Sequence, residues 1–256
     1  LFRSLLIERD GAVLTASMNR PESRNALTDP SHMDELVELC RLIRRDHTIK
    51  VLVLTGEGSA FCAGGNVKDM QQRGGIFAGS PYQVRDSYRD SIQRIPLALY
   101  ELDVPVIAAV NGPAIGAGLD LACMCDIRIA SDQARIGAGV LKTGLSNCDV
   151  GISYLLPRIV GAGIASELML TNRTLSAAEA AEWGLVTAAL PAAERAEFER
   201  VMRGELPARW QQVLLDYKQH ALQAPPAPSG IFISGEINDL LTAVLPERMV
   251  GCADLE

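Results

Sequence analysis

The 256-residue chain carries 24 Lys and Arg against 31 Asp and Glu, a formal net charge of −7, with 48% hydrophobic and 21% charged residues. That much apolar surface can build a sizeable core and excludes a disordered chain, and an acidic balance with no Lys/Arg block excludes a nucleic-acid or anionic-membrane footprint. Apolar runs such as Val104 to Val110 are far shorter than the roughly 20 residues of a bilayer-spanning helix, and no charged start followed by an apolar run opens the chain, so the expectation is a soluble, cytoplasmic protein.

In chain order, loose alternation from Leu5 to Met18 around Asp10-Gly11 predicts a β-hairpin, and Arg20-Pro-Glu-Ser-Arg-Asn25 breaks it with a polar loop. Met33, Leu36, Val37, Leu39, Cys40 and Ile43 form a helical stripe over Pro30 to Arg45. Val51 to Thr55 reads as a buried strand, followed by a small-residue loop, Ser59-Ala-Phe-Cys-Ala-Gly-Gly-Asn66, that runs into a helix. Gly74-Gly75 and Gly79-Ser80-Pro81 mark the most mobile loop expected in the chain.

A single helix is expected from about Tyr82 to Glu101, then a second buried strand, Pro105 to Val110, and a second small-residue loop, Asn111-Gly-Pro-Ala-Ile-Gly-Ala-Gly118. The plan of strand, loop and helix thus occurs twice, about 55 residues apart. Asp126 to Ala130 is a further strand, and Ser176-Ala-Ala-Glu179 is a capping box opening a short helix that Gly184 closes. The texture changes near Leu190, which divides the chain into a core over 1–190 and a helical region over 191–256, with a Pro-rich connector at 223–230 and a last helix from Glu236 to Leu245.

The six cysteines, Cys40, Cys62, Cys123, Cys125, Cys148 and Cys252, fall mostly in apolar or Gly-rich segments and read as reduced, largely buried thiols. Cys123-Met-Cys125 lacks zinc-knuckle spacing, and His32, His47 and His220 form no H-E-x-x-H pattern, so no metal site is expected.

The two small-residue loops carry the chemistry. A helix that begins directly after Gly/Ala residues presents backbone N–H groups without partners, which can face a developing negative charge. Close strand–helix packing is the better reading of one such loop; a pair favours the functional reading. A dinucleotide fingerprint fits poorly, because Gly116-Ala-Gly118 would require a small residue where Leu121 stands.

Ser59-Ala-Phe-Cys-Ala-Gly-Gly-Asn-Val-Lys68 and Asn111-Gly-Pro-Ala-Ile-Gly-Ala-Gly-Leu-Asp-Leu121 resemble the two oxyanion segments of the crotonase superfamily, the enoyl-CoA hydratase/isomerase family. Arg20 to Leu27, Cys125-Asp-Ile-Arg128 and Ala181 to Val186 match further motifs in order, so the resemblance covers roughly Leu5 to Leu190. It implies an α/β spiral of repeated ββα units with a C-terminal helical region. It further implies an acyl-CoA thioester whose carbonyl oxygen is held by the N–H groups of Gly65 and Ala117, with Arg24, Ala63, Lys68, Gly116 and Lys142 as candidate substrate contacts. Coenzyme A arrives with the substrate, so no separate cofactor, nucleic acid or membrane partner is implied.

Acid–base positions depart from the family pattern. Where hydratases of the family carry two glutamates, this chain has Asp120 and Val140, and valine cannot transfer a proton. The next carboxylate, Asp149, resembles the second aspartate of dienoyl-CoA isomerases and the nucleophilic aspartate of chlorobenzoyl-CoA dehalogenases, whose base histidine would fall near Leu97. From the residues alone, Asp120 could merely complement a helix dipole and Asp149 could be an N-cap. The resemblance favours a catalytic Asp120 and Asp149 and slightly favours double-bond isomerisation over hydration. Hydrolysis or dehalogenation through Asp149, or acyl-CoA binding without catalysis, remain the alternatives.

The resemblance and the apolar stripe from Phe198 to Tyr217 also imply a homotrimer or dimer of trimers, the tail covering a neighbour. Sedimentation at micromolar concentration should show a trimer or hexamer; a clean monomer would contradict this expectation.

Overall fold

The computed structural model describes residues 2–148 and 150–190. The helical C-terminal region, its connector, its last helix and the division at Leu190 fall outside the described residues, as do Asp149, Cys252 and His220.

The expected hairpin is present as β1 (Leu5–Asp10) and β2 (Val13–Met18), paired antiparallel with Asp10 opposite Val13. Gly11 takes the first central position of the two-residue turn at φ +57, where a side chain would be strained. Helix α1 (Pro30–Ile43) starts where Asp29 accepts a bond from the Ser31 N–H and Pro30 presets the first helical φ. Its stripe of Met33, Leu36, Leu39, Cys40 and Ile43 is buried, while Val37 is only partly covered. Glu35 ties the helix to the start of β1 by accepting from Arg3 N at 2.9 Å, Ser4 N at 2.8 Å and Ser4 Oγ at 2.6 Å.

The parallel part of the sheet consists of β3 (Val51–Gly56), β4 (Val106–Val110), β6 (Ile127–Ser131) and β9 (Ala188–Leu190), added to β2 in the order β1-β2-β3-β4-β6-β9. The interior strand β4 is buried along most of its length, which is why it reads as an uninterrupted apolar run. A second sheet joins β5 (Ala114–Ile115), β7 (Arg135–Gly137) and β8 (Thr174–Ser176), β5 parallel to β7 and β7 antiparallel to β8. Cys62, at the end of the first loop, bridges Ala114 of β5 in parallel. Successive units therefore each add a long strand to one sheet and a short strand to the other, with α2 (Val67–Gln72), α5 (Ala117–Met124) and α6 (Ile152–Val160) following. The repeat expected twice occurs a third time at β6–β7, where a three-residue strand left too little pattern to read.

The helix expected over 82–101 is two helices, α3 (Pro81–Asp90) and α4 (Arg94–Tyr100), broken at Ser91. Pro96 gives the reason: in the first turn of α4 its missing N–H costs nothing, whereas one continuous helix would place it in the interior. The Gly-rich stretch before α3 contains a short 3₁₀ turn, Gly75–Phe77. Beyond the loop that follows β7, α6 and α7 (Ala162–Thr171) lead to β8.

Helix α8 (Ala177–Glu182) carries the expected capping box. Ser176 Oγ accepts from the Glu179 N–H at 3.3 Å, and Glu179 accepts from Ser176 N at 2.8 Å. These bonds and the Arg173 guanidinium hold the Glu179 carboxyl below its ordinary pKa, so its stabilisation is present at neutral pH and is lost as the pH falls through that lowered value. Ser176→Ala should lower stability by about 1 kcal/mol in urea denaturation at pH 7. The difference from the unmodified protein should shrink in acid, once the carboxyl of the box is protonated.

Candidate active site

Because β3 and β4 are adjacent and parallel, the loops that follow them leave the same edge of the sheet. There the loops are stitched together. Cys62 N donates to Pro113 O at 3.1 Å and Ile115 N donates to Cys62 O at 3.0 Å. Asn111, at the start of the second loop, donates to Gly58 O at 3.2 Å and accepts from Gly56 N at 3.3 Å. Contact this close has no room for side chains. A Cβ on Gly112 would fall 2.3 Å from Ser59 O, one on Gly118 2.0 Å from Cys62 O, and one on Gly64 2.5 Å from Ile115 O and 3.0 Å from Ala117 N.

Each loop also carries an N–H beside the seam that takes no part in the stitching. On the first loop the Cys62 N–H is used by Pro113 and the Ala63 N–H by Arg24 O at 2.9 Å, but the Gly65 N–H has no hydrogen-bond partner among the described residues. On the second, Ala117 opens α5 behind Gly116, whose φ of +58 and ψ of −124 turn the chain into the helix with no side-chain cap. The Ala117 N–H likewise has no partner among the described residues.

Both peptide planes are anchored from their carbonyl ends. Leu27 N donates to Gly64 O at 2.8 Å and Asp120 N to Gly116 O at 3.0 Å. A trans peptide is planar, so holding the carbonyl aims the N–H on its opposite side. Two fixed donors, one of them at the positive end of an eight-residue helix, suit an oxygen that gains negative charge during reaction.

The side chains around the donors divide unevenly. Asp120 lies in the first turn of α5, as expected, and is 5% exposed. Burial, with the Asp120 charge as a smaller contribution, pushes the Cys62 thiol up to about 12. Burial does the same for Cys123, and both cysteines are inert at neutral pH. Val140 begins the 3₁₀ turn Val140–Thr143 and comes 3.2 Å from where a Cβ on Gly116 would stand. An apolar side chain therefore borders the second donor loop.

Arg24 is exposed with its backbone against Ala63, and Lys68 is exposed in the first turn of α2, where its N–H bonds the Asn66 cap at 3.0 Å. Lys142 belongs to the Val140–Thr143 turn, and its side chain lies outside the described residues. The N-cap position of helix α6 is Gly151, at φ +111, and Asp149, two residues before it, lies outside the described residues. Its segment is anchored by buried Asn147, which donates to Met169 O at 2.9 Å.

Leu97, where a dehalogenase would place its histidine, is on α4 and 66% exposed. Cys40, Cys62, Cys123 and Cys125 are buried free thiols, as expected for most of the cysteines, and Cys148 is exposed. Among the described residues no group of His, Cys, Asp and Glu could hold a metal ion, and no helix is long and apolar enough to cross a membrane.

The sequence matches the enoyl-CoA hydratase/isomerase family over residues 8–220. The chain belongs to this family, the crotonase superfamily. A probable enoyl-CoA hydratase of Mycobacterium leprae is 40% identical over 170 residues, covering 65% of this chain and 56% of the relative. A 4-chlorobenzoyl coenzyme A dehalogenase of Arthrobacter is 34% identical over 173 residues, 68% of this chain and 61% of that protein. The chain thus spans less than two thirds of the length of these relatives. The crystal structure of a monofunctional enoyl CoA isomerase from M. smegmatis is 37% identical, covers 79% of this chain and 84% of its own, and superposes with a TM-score of 0.63.

In this family member the sequence motifs located both donor loops but assigned no part to Asn25 and Asn111, whose amides hold the first loop. The available signal was an asparagine beside a turn, a residue type that tolerates left-handed backbone and bonds locally. Gly118→Ala tests the stitching. Helix propensity favours alanine by up to about 1 kcal/mol, but the overlap is with a backbone carbonyl that has no room to move. We expect a net loss of about 1–3 kcal/mol in denaturant melts. Unchanged stability would mean the loops are not in contact.

Proposed function

We propose that the chain moves a proton on an unsaturated acyl-CoA thioester through an enolate whose oxygen is held by the N–H groups of Gly65 and Ala117. The observation that carries this reading is the pair of N–H groups, on two loops held against each other, without partners among the described residues, in a member of the enoyl-CoA hydratase/isomerase family. In the isomerisation reading, a base removes a proton from Cα of a 3-enoyl thioester, the electrons pass into the thioester carbonyl, and the proton returns at the γ carbon. Asp149 is the proposed proton carrier and Asp120 assists or orients it. Arg24, Lys68 and Lys142 are proposed to meet the anionic CoA, with Ala63 and Gly116 against the substrate.

Isomerisation is preferred to hydration because Val140 borders Gly116, where a second acid would be needed to handle water. The similarity to a 4-chlorobenzoyl coenzyme A dehalogenase supports a second reading in which Asp149 is a nucleophile. The exposed leucine at position 97 weighs against it. A panel of crotonyl-CoA, 3-hexenoyl-CoA and 4-chlorobenzoyl-CoA separates these: a shifted double bond supports the proposal, chloride release the second reading, and binding without turnover a non-catalytic member. A trimeric assembly and a cytoplasmic location remain part of the proposal.

Ala117→Pro removes one donor at the first position of a helix, where proline fits. Turnover should fall about 10²–10³-fold with the fold retained. Unchanged turnover would reassign the donor.

Asp149→Asn should lower turnover by about 10²-fold or more while thermal stability hardly changes. Val140→Glu should introduce crotonyl-CoA hydration. A silent Asp149→Asn together with no gain from Val140→Glu would remove the proposed proton path.

A further inference from the structure

Gly65 has no side chain to hold it and lies outside every helix and strand, yet an oxyanion donor must not move. The restraint comes from the loop after the hairpin. Asn25 is completely buried and left-handed at φ +56, and its amide is fully used. Its Nδ2 donates to Glu57 O at 3.0 Å and Ala60 O at 2.9 Å, and its Oδ1 accepts from Arg20 N at 2.8 Å.

The neighbouring backbone continues the seam, with Arg24 O accepting from Ala63 N at 2.9 Å and Leu27 N donating to Gly64 O at 2.8 Å. The last of these bonds grips the peptide unit whose other end is the Gly65 N–H. The amide packs closely against Gly56, where an added Cβ would fall 2.7 Å from Nδ2.

We propose that Asn25 is a positioning residue for the Gly65 donor: by locking residues 24–27 onto the first oxyanion loop, it keeps the Leu27 N–H on Gly64 O and so fixes the direction of the Gly65 N–H. The inference rests on the oxyanion reading of Gly65. Asn25 itself touches no substrate. Its loss should therefore appear in the rate of the chemical step rather than in substrate affinity.

Asn25→Gly tests this, since glycine accepts the left-handed backbone and only the amide is lost. With 3-hexenoyl-CoA, measured well below the variant's melting temperature, kcat should fall about 10–100-fold with KM little changed. A lower melting temperature with the kcat of the folded variant intact would mean Asn25 is merely structural and would overturn the inference.

Asn25→Asp is the second variant and decides the matter should the glycine variant not fold. Its carboxyl can donate to a loop carbonyl only when protonated, so its kcat relative to the unmodified protein should recover as the pH falls. A ratio flat with pH overturns the inference.

Ala117→Pro keeps the two failures apart. Unchanged turnover there, or no turnover by the unmodified protein, sinks the oxyanion reading and this inference with it. Loss of turnover in Ala117→Pro with both Asn25 variants fully active sinks this inference alone.

Discussion

The site depends on one backbone contact, the parallel bridge between Cys62 and Ala114 that joins the loop after β3 to the loop after β4. Two hydrogen bonds make it, and glycines at 64, 112 and 118 let the chains approach closely enough to form it. The bonds of this seam do not engage the N–H groups of Gly65 and Ala117. The carbonyl of the residue before each donor is itself held, Gly64 O by Leu27 N and Gly116 O by Asp120 N, which fixes the direction of the N–H. Preorganised donors of this kind need no reorganisation when charge develops, the condition under which electrostatic catalysis is strongest.

The architecture separates two chemical tasks. In the proposed reaction, charge stabilisation rests on backbone in a closely packed part of the molecule, where side chains are excluded by contact. Proton handling, in the same proposal, rests on side chains of the units that follow, near Val140 and the segment anchored by Asn147. The first task tolerates almost no change at its glycines, whereas the second can change with a few substitutions. One scaffold can thus keep an enolate-stabilising centre while its acid–base groups vary, which fits relatives named as hydratase, isomerase and dehalogenase.

Much of this was legible in the sequence. The hairpin, the stripe of α1, the buried strands β3 and β4 and the capping box of α8 each rest on local signals: period, turn glycines, or a serine three residues before a glutamate. The two donor loops were legible as motifs because glycine is irreplaceable where backbones touch. The break at Ser91 was missed because the weight of Pro96 depends on its position within the helix, and β7 was missed because three residues carry no period.

What the sequence by itself determined is most of the longer elements, the family and the identity of the two loops, since these follow from residue type and spacing along the chain. Only the tertiary structure decided that the loops meet, that the N–H groups of Gly65 and Ala117 have no partners among the described residues, and that Asn25 and Asn111 hold the first loop. It also decided that Val140 borders the second donor loop and that Gly151 stands at the N-cap of α6. The physical reason is that a donor is defined by the bonds its neighbours do not take, and those neighbours, Arg24, Leu27 and Pro113, lie roughly 35–50 residues away along the chain, beyond the reach of any local pattern.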